Sequence, residues 1–146
     1  MRFAIWTIAA LSSIFSTIVF AQTSAPTLIS PDNISWRGSP LTPGNDIGSI
    51  LGAPSKPGLY IFRVKMAAGA RIPPHTHPDD RNTTVLTGTI WVGVGETFDE
   101  AKMVAVPAGA VYVVPATMPH YVWAKEGEAI YQESGVGPSA TTVIKR

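Results

Sequence analysis

From residue 59 onward, short runs of β-forming residues alternate with turn signals. The first run covers residues 59–66, and the runs 83–87 and 89–94 are divided only by Gly88. Further runs follow at 103–106, 111–114, 121–124, 129–132 and 141–144. Short strands at regular spacing, with turn residues between them, are typical of an all-β sandwich or barrel. The pattern therefore predicts one all-β domain over residues 59–146.

The chain before residue 59 has a different character. Residues 22–58 are rich in Pro, Gly, Ser and Asn and show little periodicity, which predicts an irregular N-terminal arm. Trp36 and Leu41 are expected to pin this arm to the domain by packing. At the start, Arg2 precedes an apolar stretch over 3–20, and Val19 and Ala21 are the small residues of a cleavage site. Residues 1–21 are therefore predicted to be a signal peptide.

This leader predicts a secreted or periplasmic protein. The apolar stretch is also just long enough for an uncleaved membrane anchor, but the cleavage-site pattern favours removal. No later stretch is apolar enough to cross a bilayer, so no membrane association is expected after cleavage. Without Arg2 the chain carries ten basic residues against 10 acidic ones and has no basic run, so no nucleic-acid binding is expected. With 0 cysteines, its own side chains supply no thiol chemistry.

The three histidines of the chain are the strongest candidates for chemistry. Two of them stand in the sequence Pro-Pro-His-Thr-His-Pro at His75 and His77, and the third is His120. The flanking prolines favour an extended backbone, in which residues two apart point to the same side, about 7 Å from each other along the strand. His75 and His77 can therefore converge on one metal ion. Taken alone, however, a His-x-His pair is a weak signal, because such pairs often occur without binding a metal.

A spaced pattern surrounds the first two histidines. Gly69 is followed after five residues by His75 and His77, then after three by Arg81, and after six more by Gly88. This resembles the first motif of the cupin family, in which a glutamate stands where this chain has Arg81. All the other spacings agree with the family pattern.

The third histidine lies in a second spaced pattern. Gly109, Pro115 and His120 follow one another at the intervals of the second cupin motif. Thr117 stands where that motif has a glycine, and Ala124 where it has an asparagine. Together the two patterns cover roughly residues 59–135, and the chain is identified by them as a small single-domain cupin.

The resemblance implies a jelly-roll β-barrel with one divalent metal ion inside it, bound here by His75, His77 and His120. Iron, zinc, manganese and nickel are all compatible with the pattern. Single-domain cupins commonly pair through a sheet, so the resemblance also implies a homodimer. The glutamate ligand of the family does not carry over to this chain.

Arg81 leaves three interpretations open, because an arginine has no lone pair for a cation. Its side chain turns to solvent beside a neutral three-histidine site, or stays inside to hold a substrate carboxylate or a nearby acid, or the site has lost its metal. Asp79 and Asp80 are expected to form a solvated turn next to Arg81, with either as a substitute acid if the loop shifts. If Arg81 points inward, Thr83 and Val85 do so too, which makes Arg81 and Thr83 candidate substrate contacts.

Two classes of function compete at this stage. The first is a metal-dependent enzyme on a small organic substrate, of the oxygenase, isomerase or lyase class, with some cupin dioxygenases resembling the three-histidine arrangement. The second is a non-catalytic module that binds a small ligand or a metal. No acid–base residue is marked out by its spacing, so the catalytic residues and the substrate stay unassigned.

Overall fold

The computed structural model describes residues 26–145, so the predicted signal peptide at 1–21 lies outside the described residues. Strands are the main regular structure of the described chain, which has single 3-10 turns at Pro31–Asn33 and Glu100–Lys102. The eleven strands are β1 (Trp36–Gly38), β2 (Asn45–Leu51), β3 (Gly58–Met66), β4 (Arg71–Thr76), β5 (Arg81–Thr87), β6 (Thr89–Val94), β7 (Val104–Pro107), β8 (Val111–Val114), β9 (His120–Trp123), β10 (Ala129–Gly137) and β11 (Thr142–Val143).

These strands form two antiparallel sheets. The larger has six strands in the order β1-β2-β3-β10-β5-β8, and the smaller has five in the order β11-β4-β9-β6-β7. Chain neighbours such as β3 and β4 therefore lie in different sheets. The predicted all-β jelly-roll fold is confirmed by this arrangement. In the part of the chain that the structure describes, no helix has the length and apolar character to span a bilayer.

The core lies between the sheets and follows from alternation of buried and less buried residues, which is clearest along β3 and β10. On β3 the residues Tyr60, Phe62, Val64 and Met66 are buried, while the side chains between them are only partly covered. Facing strands contribute Ile72, Val85, Ile90, Val122 and Tyr131, among others. Because side chains alternate between the faces of a strand, the inner face of each sheet supplies most of this core.

The segment predicted as an irregular arm is more ordered than its sequence pattern indicated. Residues 26–58 include the strands β1 and β2, which pair with each other. Strand β2 also pairs with β3, and Asn45 lies opposite Met66 in that register. The alternation of β2 is weak because two of its positions are Gly48 and Ser49. Pairing with the regular strand β3 supplies the order that local propensity does not.

The segment with two consecutive prolines is extended, as its sequence predicts, and forms the strand β4. Proline has no N–H for the ladder, and the register between β4 and β9 shifts between Ile72 and His75, at the position of Pro73 and Pro74. Beyond the shift, His75 and His120 are direct cross-strand partners. The prolines thus lie in the part of β4 that sets the pairing of the two histidines.

Candidate metal centre

Three buried histidines meet inside the barrel. His75 lies near the end of β4, His77 directly follows that strand, and His120 opens β9. One nitrogen from each ring lies within 4.8 Å of the others. All three side chains are 5% exposed or less. The prediction that His75 and His77 point to the same side, with His120 reaching them from another strand, agrees with this geometry.

Backbone carbonyls fix the orientation of all three rings. His75 Nδ1 lies 2.8 Å from the carbonyl of Pro73, His77 Nδ1 2.9 Å from that of Ala140, and His120 Nδ1 3.0 Å from that of Met118. A carbonyl oxygen only accepts hydrogen bonds, so each Nδ1 carries the proton and donates it. Each Nε2 therefore keeps its lone pair, which is the arrangement of a metal-binding imidazole.

Burial keeps these rings neutral at ordinary pH. Loss of hydration, with a smaller contribution from the nearby His120, lowers the pKa of His75 to about 3. Loss of hydration, followed by the positive charge of Arg81, lowers the pKa of His77 to about 4. Burial also lowers the pKa of His120. Neutral imidazoles are the form that binds metal, so no proton has to leave the site near pH 7.

The spacing of the rings fits one metal ion. The ring centroids of His75 and His120 are 4.1 Å apart, those of His75 and His77 4.8 Å, and those of His77 and His120 5.3 Å. In a tetrahedral site with metal–nitrogen bonds of about 2.0–2.1 Å, the ligand nitrogens lie roughly 3.3 Å apart. The ring nitrogens lie within 4.8 Å of one another, so each pair has to close by at most about 1.5 Å to reach that distance. The residues present therefore fit a divalent ion with three imidazole ligands.

Arg81 is buried, which excludes the interpretation that it turns to solvent. Its side chain is 5% exposed, and Nη1 donates to Glu133 Oε2 at 2.8 Å. Nη2 donates to Ser139 Oγ at 2.9 Å, and Nε lies 3.7 Å from Asp79 Oδ1. The expectation failed because it treated arginine as a surface residue, whereas a buried arginine is stable when acids pair with it. The alternative in which Arg81 stays inside and holds a nearby acid matches the structure.

Glu133 is the partner that the sequence pattern missed. It lies on β10, is 7% exposed, and contacts Arg81 across from Thr83 on the neighbouring strand β5. The predicted strand ended at residue 132, because Glu-Ser-Gly-Val-Gly has the composition of a turn. Continuing the alternation of the buried residues Ala129 and Tyr131 by one more step would have placed Glu133 inside.

The other candidate contacts divide between the interior and its edge. Thr83 is fully buried, as its alternation predicts, and Thr83 Oγ1 lies 3.5 Å from Glu133 Oε1. Thr83 is not among the described residues that line the cavity next to the histidines, and its hydroxyl lies close to the carboxylate of Glu133. Asp80 accepts a hydrogen bond of 2.7 Å from the backbone N–H of Ala116, and neither it nor Asp79 belongs to the histidine cluster.

Asp79 is largely buried, which differs from the solvated turn that was expected. Tyr60 and Ser139 both donate hydrogen bonds to its carboxylate. Burial raises the pKa of Asp79, but the hydrogen bonds from Ser139 and Tyr60 and the charge of Arg81 outweigh it, so that its pKa is lowered. Burial, together with the bond to Asp79, raises the pKa of Tyr60 to about 12. Asp79 is therefore an anion that holds Arg81 in place.

A small cavity opens beside the histidines. Its volume is about 90 Å³. Four of its lining residues carry ionisable groups, namely His75, His77, Arg81 and Glu133, and the others are apolar side chains of both sheets and a few hydroxyl residues. The apolar and hydroxyl lining residues are Ser39, Leu41, Thr42, Ile47, Phe62, Val64, Ile72, Tyr131 and Thr141. An apolar wall with a few convergent polar groups is the usual form of a small-molecule site.

Solved structures share this architecture at low sequence identity. The polyketide cyclase RemF from Streptomyces resistomycificus aligns with a TM-score of 0.70 and 12% identity, over 84% of this chain and 87% of that one. An oxalate oxidase aligns with a TM-score of 0.56 and 21% identity, over 73% of this chain and 57% of that one. At these identities the likeness shows a common fold.

The sequence comparisons are more specific. Germin-like protein 3-1 from Oryza sativa subsp. japonica is 33% identical over 67 residues, which are 45% of this chain and 30% of that protein. The matched region thus spans less than a third of the length of this relative. The family model described as "Cupin domain" matches residues 62–136, just over half of the chain, and this region includes all three histidines. The chain belongs to the cupin family.

Proposed function

We propose that this protein is an exported cupin that binds one divalent metal ion through Nε2 of His75, His77 and His120 and acts as an enzyme on a small organic substrate. The observation that carries the proposal is that three buried imidazoles converge within 4.8 Å while each Nδ1 is held by a backbone carbonyl. Three ligands leave positions on an ion open for water or substrate. The reaction belongs to the oxygenase, isomerase or lyase class.

The three imidazole ligands favour some metals over others. Three neutral imidazoles suit zinc and ferrous iron, and manganese and nickel are further candidates within the same family pattern. A bound ion would supply Lewis acidity, oxygen activation or a bound hydroxide. The chain's own residues hold the imidazoles in one tautomer and place the buried groups Arg81 and Glu133 at the cavity beside His75 and His77.

Two observations support an enzyme. Some proteins with this fold are enzymes by name, namely a polyketide cyclase and an oxalate oxidase. The cavity also places a carboxylate and a guanidinium next to the histidines, which is more chemistry than simple metal capture needs. The second candidate function is a non-catalytic module that binds a small ligand or metal. The arginine at the position of the family's glutamate ligand favours that alternative, because the inner ligand set has no charge of its own.

Elemental analysis of protein purified without added metal tests the proposal. About one metal atom per chain is expected. Iron would support a cupin dioxygenase, whereas zinc, nickel or manganese would favour lyase or isomerase chemistry. A protein that contains no metal and takes up none on titration would overturn the metal site and leave the ligand-binding module.

We propose in addition that the mature protein is secreted or periplasmic and forms a homodimer. Strand β8 is one edge of the six-stranded sheet, and Val111 and Val113 on it are 60% and 58% exposed. An apolar edge strand of this kind favours pairing with another sheet. Light scattering is expected to give the mass of a dimer, and a monomer at working concentration would contradict this. The expected partners are a small-molecule substrate and a second copy of the chain.

A further inference from the structure

A buried carboxylate faces the same cavity as the histidines. Glu133 lines the cavity together with His75, His77 and Arg81. It comes from β10, a strand that carries neither cupin motif, and it is 7% exposed. Ionised carboxylates are costly to bury, so a residue of this kind needs partners for both of its oxygens.

The two oxygens of Glu133 are satisfied unequally. Oε2 accepts a charge-assisted hydrogen bond of 2.8 Å from Arg81 Nη1. Oε1 lies 3.5 Å from Thr83 Oγ1, which is at the limit of a hydrogen bond and weak by its length. Arg81 is itself fixed by Ser139 and Asp79, so the carboxylate has little freedom to turn. Glu133 is therefore a firmly held carboxylate among the residues that line the cavity, and one of its two oxygens has only a weak partner.

The charges of this cluster replace the charge that the chain lacks in its first motif. Arg81 carries one positive charge, and Glu133 and Asp79 carry one negative charge each, so the three together carry one negative charge. This net charge equals that of the single glutamate that stands at this position in the family motif. The negative charge is thus retained next to the histidines, but it lies on residues around the three rings. Arg81, already paired with two acids, is a poor receptor for a third carboxylate.

We infer that Glu133 is a ligand-facing residue of this site, positioned by Arg81, and that the cavity takes small neutral molecules that donate a hydrogen bond to the Glu133 carboxylate. This inference rests on the proposed metal site and names the class of molecule that the site would take. It excludes simple carboxylates as preferred ligands. The cavity of about 90 Å³ restricts the class to small molecules.

Calorimetric titration of the zinc-loaded protein with two probes tests the inference. Acetohydroxamic acid is neutral at pH 7 and its N–H and O–H groups can donate a hydrogen bond to a carboxylate, whereas acetate is an anion and has no proton to donate. In Glu133→Gln the affinity for acetohydroxamic acid should fall by about tenfold or more, the range for a lost hydrogen bond to a charged group. Acetate should bind as well as before or more tightly, since a negative charge has been removed. The exposed Glu128 provides a matched control, and Glu128→Gln should behave as wild type.

Several outcomes would overturn the inference. Unchanged affinities for both probes in Glu133→Gln would do so, as would tighter binding of acetate than of acetohydroxamic acid by the wild type. If Glu133→Gln does not fold, Glu133→Asp keeps the charge but withdraws the oxygen by one methylene. The ratio of the two affinities should then still fall by about threefold or more, and an unchanged ratio overturns the inference. A wild-type chain that binds none of zinc, ferrous iron, manganese and nickel overturns the proposed function and this inference with it, whereas a metal-loaded chain indifferent to residue 133 overturns this inference alone.

Discussion

His75 and His120 are cross-strand partners that hold their rings in the same way. Each places Nδ1 on the carbonyl two residues before it, Pro73 for His75 and Met118 for His120. Two local contacts within two adjacent strands therefore set both rings, and their centroids lie 4.1 Å apart. Only His77 depends on a distant segment, through Ala140.

Removal of ligands is expected to remove metal. His75→Ala, His77→Ala and His120→Ala should each lower the metal content of the purified protein, and a double variant should lower it further, because three ligands leave little redundancy. Thr76→Ala changes the residue between two of the histidines and is the matched control, which should bind metal as wild type. Elemental analysis measures the content. Undiminished metal in the His75→Ala/His77→Ala double variant would exclude this site.

Arg81→Glu should bind metal more tightly while losing stability in the metal-free form. The variant adds a carboxylate at the family's ligand position and removes a positive charge, and at 4 Å a unit charge is worth up to about 4 kcal/mol before screening. Without metal, Glu133 and Asp79 lose their cation, and breaking such a buried pair costs about 3–5 kcal/mol. Calorimetry and thermal melts with and without zinc measure both effects.

Arg63→Glu is the control for Arg81→Glu, because it makes the same charge change at a partly exposed position hydrogen-bonded to Gln132. It should leave zinc affinity nearly unchanged. Equal or weaker zinc affinity in Arg81→Glu would mean that the side chain at this position does not face the metal.

The metal-free protein should lose stability as the pH falls from about 6.5 towards 4. The pKa of His75 is lowered to about 3 and that of His77 to about 4 in the folded state, against the usual value near 6.5 when unfolded. Above pH 6.5 neither state binds these protons, and the full stability is present. Below it the unfolded chain takes up protons that the folded chain resists, and stability falls by up to about 1.4 kcal/mol per pH unit for each histidine.

Denaturant titrations across this pH range measure the slope. The double variant His75→Gln/His77→Gln should show a much smaller slope between pH 6.5 and 4.5, where carboxylates contribute little. A wild-type stability that stays constant over that interval would contradict the burial of neutral histidines.

Thr117→Gly should stabilise the fold. Thr117 has φ of 64°, a left-handed conformation that costs a non-glycine residue about 1–2 kcal/mol, partly offset by the greater chain entropy of glycine. Its backbone N–H donates to the carbonyl of His77 at 2.7 Å, which holds this conformation in place. We expect a gain of up to about 1 kcal/mol in the free energy of unfolding. Thr117→Ala keeps the strained backbone and should gain nothing, so an equal gain in both variants would contradict the argument.

Export predicts a defined mature N-terminus. Cleavage after Ala21 should leave a chain that begins at Gln22, as read by N-terminal sequencing of the protein from the periplasm or medium. Ala21→Arg should block this cleavage, because the site requires a small residue. Recovery of intact Met1 in a membrane fraction of the wild type would show an anchor in place of a leader.

Much of the barrel could be predicted from the sequence because period-two alternation and turn residues report strands directly. The three histidines could be grouped because their spacing follows two family motifs. The features that the sequence did not predict depend on contacts between residues that are distant in the chain. Strand β10 extends beyond residue 132 because β3 pairs with it as far as Gly137, although its sequence there has turn composition. The burial of Arg81 could not be predicted for the same reason, since its partner Glu133 lies in that extension of β10.

The cavity next to the histidines is lined by residues from two parts of the chain. The histidines, Arg81 and Glu133 all lie within residues 62–136, the part that matches the family, whereas Ser39, Thr42 and Thr141 on the cavity wall lie outside it. The reactive groups and part of the cavity wall are therefore encoded in separate stretches. Exchanging the stretches outside residues 62–136 for those of another cupin should change which molecules fit the cavity while leaving the reactive groups as they are, so selectivity in this barrel is open to redesign by grafting.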